Sequence, residues 1–346
     1  MKSDEEIQQE ERLKRIDQQA AKVNALYDMA TGALITLAIG MTIKPNKPFK
    51  FANYSQIADK VDSIFAKFYD LVFVVIQGGI KSEWHTANKQ MDAKVLKAFG
   101  KIDVRVATSY FNHNEGAMQA FLNRAKKDGG LGLSERVWQC TGQLRPDLEA
   151  ALQVGIAEGK SAQQLARQVR KYLQNPDGLL LKSKQLKLDL FKEISQGRGV
   201  YRSAVKNAMR LTRTELNMAY HSADHERRQQ LDIIVGYEVH TSSNHPVPDI
   251  CDTLAGKYPK TFKFVSWHPV CMCYTTDILC TDKELDRLSD ALLNGREVKG
   301  FKSINQVKNV PDNFTEWIDA NRDRVATAKS IPYFIRDNIG HIPTLK

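Results

Sequence analysis

Four of the five cysteines in this chain, Cys251, Cys271, Cys273 and Cys280, fall within thirty residues, and the fifth, Cys140, stands far upstream. Two histidines share the same stretch. It reads His245-Pro-Val-Pro-Asp249-Ile-Cys251-Asp252, then, after an interval, Trp267-His268-Pro269-Val-Cys271-Met-Cys273. Thiolate and imidazole are the ligands a structural zinc ion prefers, and four of them close a tetrahedron. Cys251, His268, Cys271 and Cys273 can supply those four. A Cys-x-Cys pair chelates only where the backbone turns tightly, so His245 stands as a substitute for one of the pair, and Cys280 as a weaker one. Asp249 and Asp252 are candidate hydrogen-bond partners for a ligating histidine. The competing reading is a metal-free knuckle held by hydrogen bonds and packing. A disulfide framework is not expected. The cysteine number is odd, and the opening MKSDEEIQQEERLKR is charged throughout, unlike a secretory signal. No catalytic base and no Ser-His-Asp or Cys-His-Asn set can be assigned from spacing.

Charge gives the second constraint. Fifty basic against forty acidic residues leave +10 over 346 residues. Between Lys160 and Glu215 thirteen cations face four anions, so +9 of that excess lies in one segment. Arg202, Lys206, Arg210 and Arg213 recur at spacings of four, four and three, which predicts one cationic face on a helix from about Val200 to Leu231. Such a face suits phosphates, with salt-dependent affinity, or an acidic protein partner. No signature of sequence-specific recognition accompanies it.

The remaining pattern predicts a mainly α chain with a small β element (α+β). Residues 1–150 read as a helical region suited to docking or assembly. Within it, Met29–Ile43 is too short and too interrupted to span a membrane, where roughly twenty apolar residues are needed, and reads as a buried helix. Val61, Ile64, Phe65, Phe68 and Tyr69 keep helical spacing. The run Leu71–Ile76 suits helix or strand, and Gly78-Gly79 is expected to break or bend it. Pro45 and Pro48 mark a loop, as does Gly129-Gly130-Leu131-Gly132, which lacks the spacing of a dinucleotide turn. Residues 151–285 hold a helix opened by a Ser161/Gln164 capping box, a turn at Asn175-Pro176-Asp177-Gly178, a Gly197-Arg198-Gly199 break, the long basic helix, and strand-like segments Tyr237–His240 and Phe262–Val265. Residues 286–346 read as a short helical tail. In it Asp312 is expected to cap a helix bearing Phe314, Trp317, Ile318 and Val325.

The motifs in order are Arg210-Leu-Thr-Arg213-Thr214-Glu215-Leu-Asn217-Met-Ala219, Gly236-Tyr237, Cys251-x-x-Leu254-x-Gly256-Lys257, and His268-Pro269-x-Cys271-x-Cys273. Together they resemble the phage Mu F-like minor head proteins, a family of phage head morphogenesis proteins. The resemblance covers roughly residues 150–282. It departs from the family pattern in two places. The first cysteine of the family's Cys-x-x-Cys falls at Pro248, which cannot bind metal, and the usual arginine between the last cysteines is Met272. The first departure raises the importance of His245. In this resemblance Arg213, Thr214, Glu215, Gly236 and Gly256 are structural positions, and the metal is structural zinc.

The resemblance implies a minor capsid protein of a tailed phage or prophage. It would be portal-associated, present in the virion head and, during assembly, in the bacterial host cytoplasm. It would meet portal, capsid or scaffold proteins, with non-specific contact to packaged double-stranded DNA and none to membrane. It implies no enzymatic activity. Some relatives carry an enzymatic toxin domain after the head domain, whereas only about sixty residues follow Glu284 here, few for a typical domain. The alternative is a zinc-dependent nuclease or toxin acting on nucleic acid through His268.

Overall fold

The computed structural model describes residues 2–39, 49–100, 108–125, 130–160, 162–188, 190, 201–243, 245, 247–294, 296, 300–328 and 330–342. The chain is mainly helical with one small three-stranded antiparallel sheet, the class its sequence predicts. In chain order the first helices are α1 (Asp4–Ile39), α2 (Ser55–Phe99), α3 (Glu115–Leu122), α4 (Leu133–Gly142), α5 (Leu144–Ala157), α6 (Ala162–Gln174), α7 (Pro176–Gln185) and α8 (Ala204–Gln230). After them come β1 (Ile234–His240), α9 (Ile250–Thr253), β2 (Gly256–Tyr258), β3 (Tyr274–Leu279), α10 (Asp282–Leu293), α11 (Asp312–Ala320), α12 (Arg322–Ala326) and α13 (Tyr333–Arg336). The chain divides into two compact units. A helical unit comprises Ile16–Gly79 and Leu122–Arg213. A sheet unit comprises Met1–Arg15, Ile80–Phe121 and Thr214–Lys346.

In the helical unit, Ile16, Ala20, Val23, Tyr27, Ala30 and Leu34 of α1 are buried at alternating spacings of four and three, the register that keeps one helix face against a neighbour. Tyr27 meets Phe68 of α2 edge to face at 4.7 Å, and its hydroxyl donates to the Cys140 carbonyl at 2.8 Å. Helix α5 is the most enclosed. Its Glu149 Oε1 accepts the Phe51 N–H at 2.9 Å, and Gln153 accepts the Phe49 N–H. These two side chains fix the 49–53 turn without a strand partner. Asp147 of α5 accepts the Ala204 N–H at the start of α8, so a carboxyl oxygen from another helix meets one of that terminus's unsatisfied donors.

Several sequence expectations resolve here. Leu71–Ile76 is helical, and Gly78-Gly79 does not break α2. Val72, Ile76, Ile80, Trp84, Ala87, Met91 and Val95 stay buried in helical register through the glycines, and that packing outweighs the roughly 1 kcal/mol each glycine costs. Met29–Ile39 belongs to α1, although Met29 itself is exposed. Asn175-Pro176-Asp177-Gly178 follows the end of α6 at Gln174, as expected, and also opens α7, because a proline at the first helical position loses no hydrogen bond. Pro45, Pro48, Gly129, Ser161 and Gly197-Arg198-Gly199 lie outside the described residues. Among the described residues, helix α2 is the one long and apolar enough to cross a membrane by length and composition.

In the sheet unit, β1 lies between β2 and β3, antiparallel to both. Tyr237 pairs with Tyr258, Glu238 with Thr276 and His240 with Tyr274, and a bulge falls between Ile234 and Gly236. One core gathers Tyr237, Val239, Leu254, Tyr258, Phe262, Phe264, Trp267, Phe314, Ile318 and Phe334. A second holds Met91, Val95, Tyr110, Leu231, Ile233, Val235, Cys280 and Leu288. Tyr237–His240 is strand as expected, but Phe262–Val265 is not. Its aromatics are buried from an irregular segment whose backbone is satisfied by side chains. Tyr237 Oη donates to the Phe262 carbonyl at 2.7 Å, while Asn338 accepts the Lys263 N–H at 2.6 Å and donates to its carbonyl at 3.0 Å. The helix expected from Asp312 is split. Pro311 occupies the cap position with Asp312 inside the first turn, and Asn321 ends α11, its amide donating to the Trp317 carbonyl at 2.9 Å. Val325 therefore sits on α12, still buried in the first core.

Candidate metal centre

Three elements carry the site. Cys251 lies on α9, whose start is closed by reciprocal bonds. Asp249 accepts the Cys251 N–H at 2.7 Å and Asp252 accepts the Asp249 N–H at 2.8 Å. His268 and Cys271 lie on the loop after Trp267, and Cys273 immediately precedes β3. That loop turns as tightly as a Cys-x-Cys chelate requires. The Cys271 N–H donates to the His268 carbonyl at 3.2 Å, and Val270 has φ +62°. A left-handed conformation is costly for a β-branched residue and persists only where its surroundings impose it. Thr214 Oγ1 on α8 supplies one restraint by accepting the Val270 N–H at 3.2 Å.

The sulfurs of Cys251, Cys271 and Cys273 are buried within 4.8 Å of one another, a cluster that can hold a metal ion. The Cys251 and Cys271 sulfurs are 3.7 Å apart. A tetrahedral ion with metal–sulfur bonds of about 2.3 Å separates its sulfurs by about 3.8 Å. Burial alone would push the Cys271 thiol up, but hydrogen bonds from Cys251 and Cys273 and from backbone N–H groups hold it well below the ordinary value. Cys251 is raised, first because it donates to Cys271. One sulfur is thus already disposed to be a thiolate, the form that binds metal.

His268 is one third exposed, and its Nε2 lies 3.0 Å from Cys251 Sγ and 3.1 Å from Asp249 Oδ2. Its Nδ1 is 2.8 Å from the Pro269 carbonyl. A carbonyl only accepts, so Nδ1 carries a proton. Nε2 faces a sulfur and a carboxylate oxygen, an arrangement satisfied by a cation among the three or by a second proton on Nε2. Asp249 is thus a histidine partner, as expected, and the His268 nitrogen it faces is the one aimed at Cys251.

His245 is turned elsewhere. Its Nε2 lies 3.0 Å from Asp252 and 3.4 Å from Asp249, making a further His/Asp group beside the first. Cys280 lies in the second core, its N–H on the Ile233 carbonyl at 2.9 Å. Gly236 lies inside β1, where a Cβ would come within 2.8 Å of Val307 side-chain carbons. Gly256 opens β2 at φ +145°, a backbone only glycine adopts readily. Glu215 is buried.

The sequence did not point to Gln9, Arg12 and His221. Gln9 donates to the Met272 carbonyl at 2.9 Å, and Arg12 donates to the Cys273 carbonyl at 2.9 Å, so α1 grips the backbone between and after the two cysteines. Arg12 also meets His221 Nε2 at 3.1 Å. Burial, followed by the charges of Arg12 and Arg228, holds His221 well below the ordinary histidine value, so it is neutral and accepts. A signal was available: Gln9 and Arg12 continue the buried series Ile16, Ala20, Val23 toward the N-terminus, and a polar side chain at a core position needs a partner.

No family model, curated protein or solved structure matches this chain.

In the helical unit the basic stretch is less uniform than its spacing suggests. Helix α8 begins at Ala204, so Arg202 precedes it, paired with Asp177 at 2.7 Å. Arg213 pairs with Asp17 at 2.8 Å. Lys206 is exposed and Arg210 half-buried. The more open cations are Arg167, Arg170 and Lys171, which share the outer face of α6 opposite buried Leu165, Val169 and Tyr172.

Proposed function

We propose that this chain is a non-enzymatic minor capsid protein of a tailed phage or prophage, acting in head assembly beside the portal. It works in the host cytoplasm during assembly and stays in the virion head. What supports the reading is that motifs spread from Thr214 to Cys273 interlock within one unit. Thr214 restrains the loop between His268 and Cys271, and Gly236 lies against the β2 backbone entered through Gly256. Scattered resemblances would have no reason to be neighbours. Portal, capsid or scaffold proteins are the partners, and the exposed cations of α6 with Lys206 contact packaged double-stranded DNA without sequence preference. The test is composition. Heads purified from cells producing a tagged copy should contain it in few copies per particle, and heads that never contain it sink the reading.

The bound ion in this proposal is zinc, held by Cys251, Cys271, Cys273 and His268 in a structural role. Three thiolates and an imidazole select zinc over the harder cations. Elemental analysis of protein purified without chelator should find one zinc per chain. A second reading, a zinc-dependent nuclease or toxin, draws on one observation: His268 is partly exposed with the Asp249 carboxylate beside it. Cleavage of DNA or RNA that needs the metal and disappears in His268→Ala would replace the structural reading.

A further inference from the structure

We propose that a cavity beside the metal centre, built wholly within the sheet unit, binds a small aromatic anion: a flat ring system carrying one carboxylate or phosphate group. The cavity measures about 690 Å³, inside the range of roughly 300–1,000 Å³ typical of small-molecule sites. Its aromatic walls are Trp267, Trp317, Tyr333 and Phe334. Phe334 holds the others in place, with ring centroids 5.5 Å from Trp267, 5.6 Å from Trp317 and 6.5 Å from Tyr333. Tyr333 is further pinned by a 2.8 Å bond between its hydroxyl and Ser266 Oγ. Walls already locked by packing lose little freedom when a ring enters, and offset or edge-to-face contacts reward a flat aromatic guest.

The charge of the guest follows from Arg324, which lines the same cavity. The nearby arginines are neutralised, Arg322 by Asp319 at 2.9 Å and Arg336 by Asp337 at 2.8 Å. Arg324 is exposed and has no acid partner among the described residues. A neutral apolar guest would use the walls and leave this cation idle, whereas an anion on one edge of the ring pairs with it. A nucleotide and an aromatic carboxylic acid share that chemistry.

The test is calorimetric titration of the full-length protein with adenosine 5′-monophosphate and with indole-3-acetate. Adenosine and glycerol 3-phosphate serve as the corresponding half-ligands. Saturable one-to-one binding of at least one aromatic anion is expected, and which one binds identifies the source. Arg324→Ala should weaken it about tenfold, the loss of one charge-assisted bond. Arg322→Ala should leave it unchanged, and Ala328→Phe, placing a ring in the cavity from an exposed lining position, should abolish it. Each variant is first matched to the parent by circular dichroism. The proposal is overturned if neither aromatic anion saturates, if a half-ligand binds as tightly, or if Arg324→Ala binds like the parent.

Discussion

In the sheet unit Asp224, Arg228 and Asp277 are buried around the partly exposed Lys94, whereas in the helical unit Arg167, Arg170 and Lys171 stand in solvent along one helix. The buried set spans three elements. Arg228 on α8 binds Asp277 on β3 at 2.7 Å, Thr275 at 2.6 Å and Asp224 at 3.3 Å, and Lys94 on α2 binds Asp277 from the other side. Charges taken out of water are tolerated only when paired, so each pairing constrains where helix and strand meet. Solvated charges impose no such constraint and contribute little to stability. The difference separates charge that specifies the fold from charge that remains available to a partner.

The comparison breaks most visibly at the sulfur cluster. Cys251 belongs to both donor groups, the three sulfurs and the set with His268 and Asp249. Cys251→Ser should bring metal content to background and cost at least about 3 kcal/mol of stability, because metal binding adds to folding free energy. Elemental analysis and thermal melts check this, and chelator added to the parent should reproduce the shift. Next comes Asp277→Asn, which leaves Lys94 and Arg228 short of an anion and should cost about 3–5 kcal/mol in denaturant melts. Burial would raise the Asp277 carboxyl, but Lys94 and Arg228 hold it below the usual range. Its stabilisation is therefore present above the ordinary aspartate value and is lost as pH falls toward the lowered one. A neutral-pH cost near zero would place the group among surface pairs.

These residues show how far the sequence is legible. The helical class, the long basic helix and all four proposed zinc ligands, Cys251, His268, Cys271 and Cys273, follow from spacing, since period and ligand type are local properties. Strand β3 was not anticipated because Thr275, Thr276 and Asp277 look like a polar loop. The side chains of Thr275 and Asp277 are satisfied by Arg228 and Lys94, which come from elements remote in sequence. Phe262 and Phe264 misled in the opposite direction, since aromatic enrichment signals a buried surface and not a ladder. The meeting of Asp249 with His268 joins the start of α9 to a later loop, and no spacing rule contains it.

Asp147 provides the counter-case inside the helical unit, a buried acid without a cation. Burial pushes its carboxyl up to about 8, against a weaker opposing effect from the Ala204 N–H. The folded state then holds a proton that the unfolded chain releases near pH 4. Stability should therefore fall as pH rises from about 4 to about 8. Asp147→Asn keeps an acceptor for the Ala204 N–H without the charge. It should flatten that slope and raise the melting temperature at pH 8 by a few degrees. Parallel melting curves for the two proteins between pH 5 and 9 would show that Asp147 is not desolvated as its surroundings imply.

The smallest effect on stability is expected where the effect on binding is largest. Reversing Arg167, Arg170 and Lys171 to glutamate removes cations that hold no fold contact comparable to those of Arg228, so the melt should move by less than about 1 kcal/mol. On duplex DNA the same variant should lose affinity at low salt. Its slope of log K against log salt should flatten by about 3, since each phosphate contact contributes about 0.9. Arg202→Ala with Arg213→Ala is the matched control. Both side chains already face acids, Asp177 and Asp17, and must surrender those pairs before reaching a phosphate, so their loss should flatten the slope less. A control that flattened the slope as much as the α6 variant, although it removes two charges where that variant changes six, would mean that the open face of α6 has no special role. A flatter slope for the α6 variant at unchanged stability would locate the contact on the solvated side of the comparison.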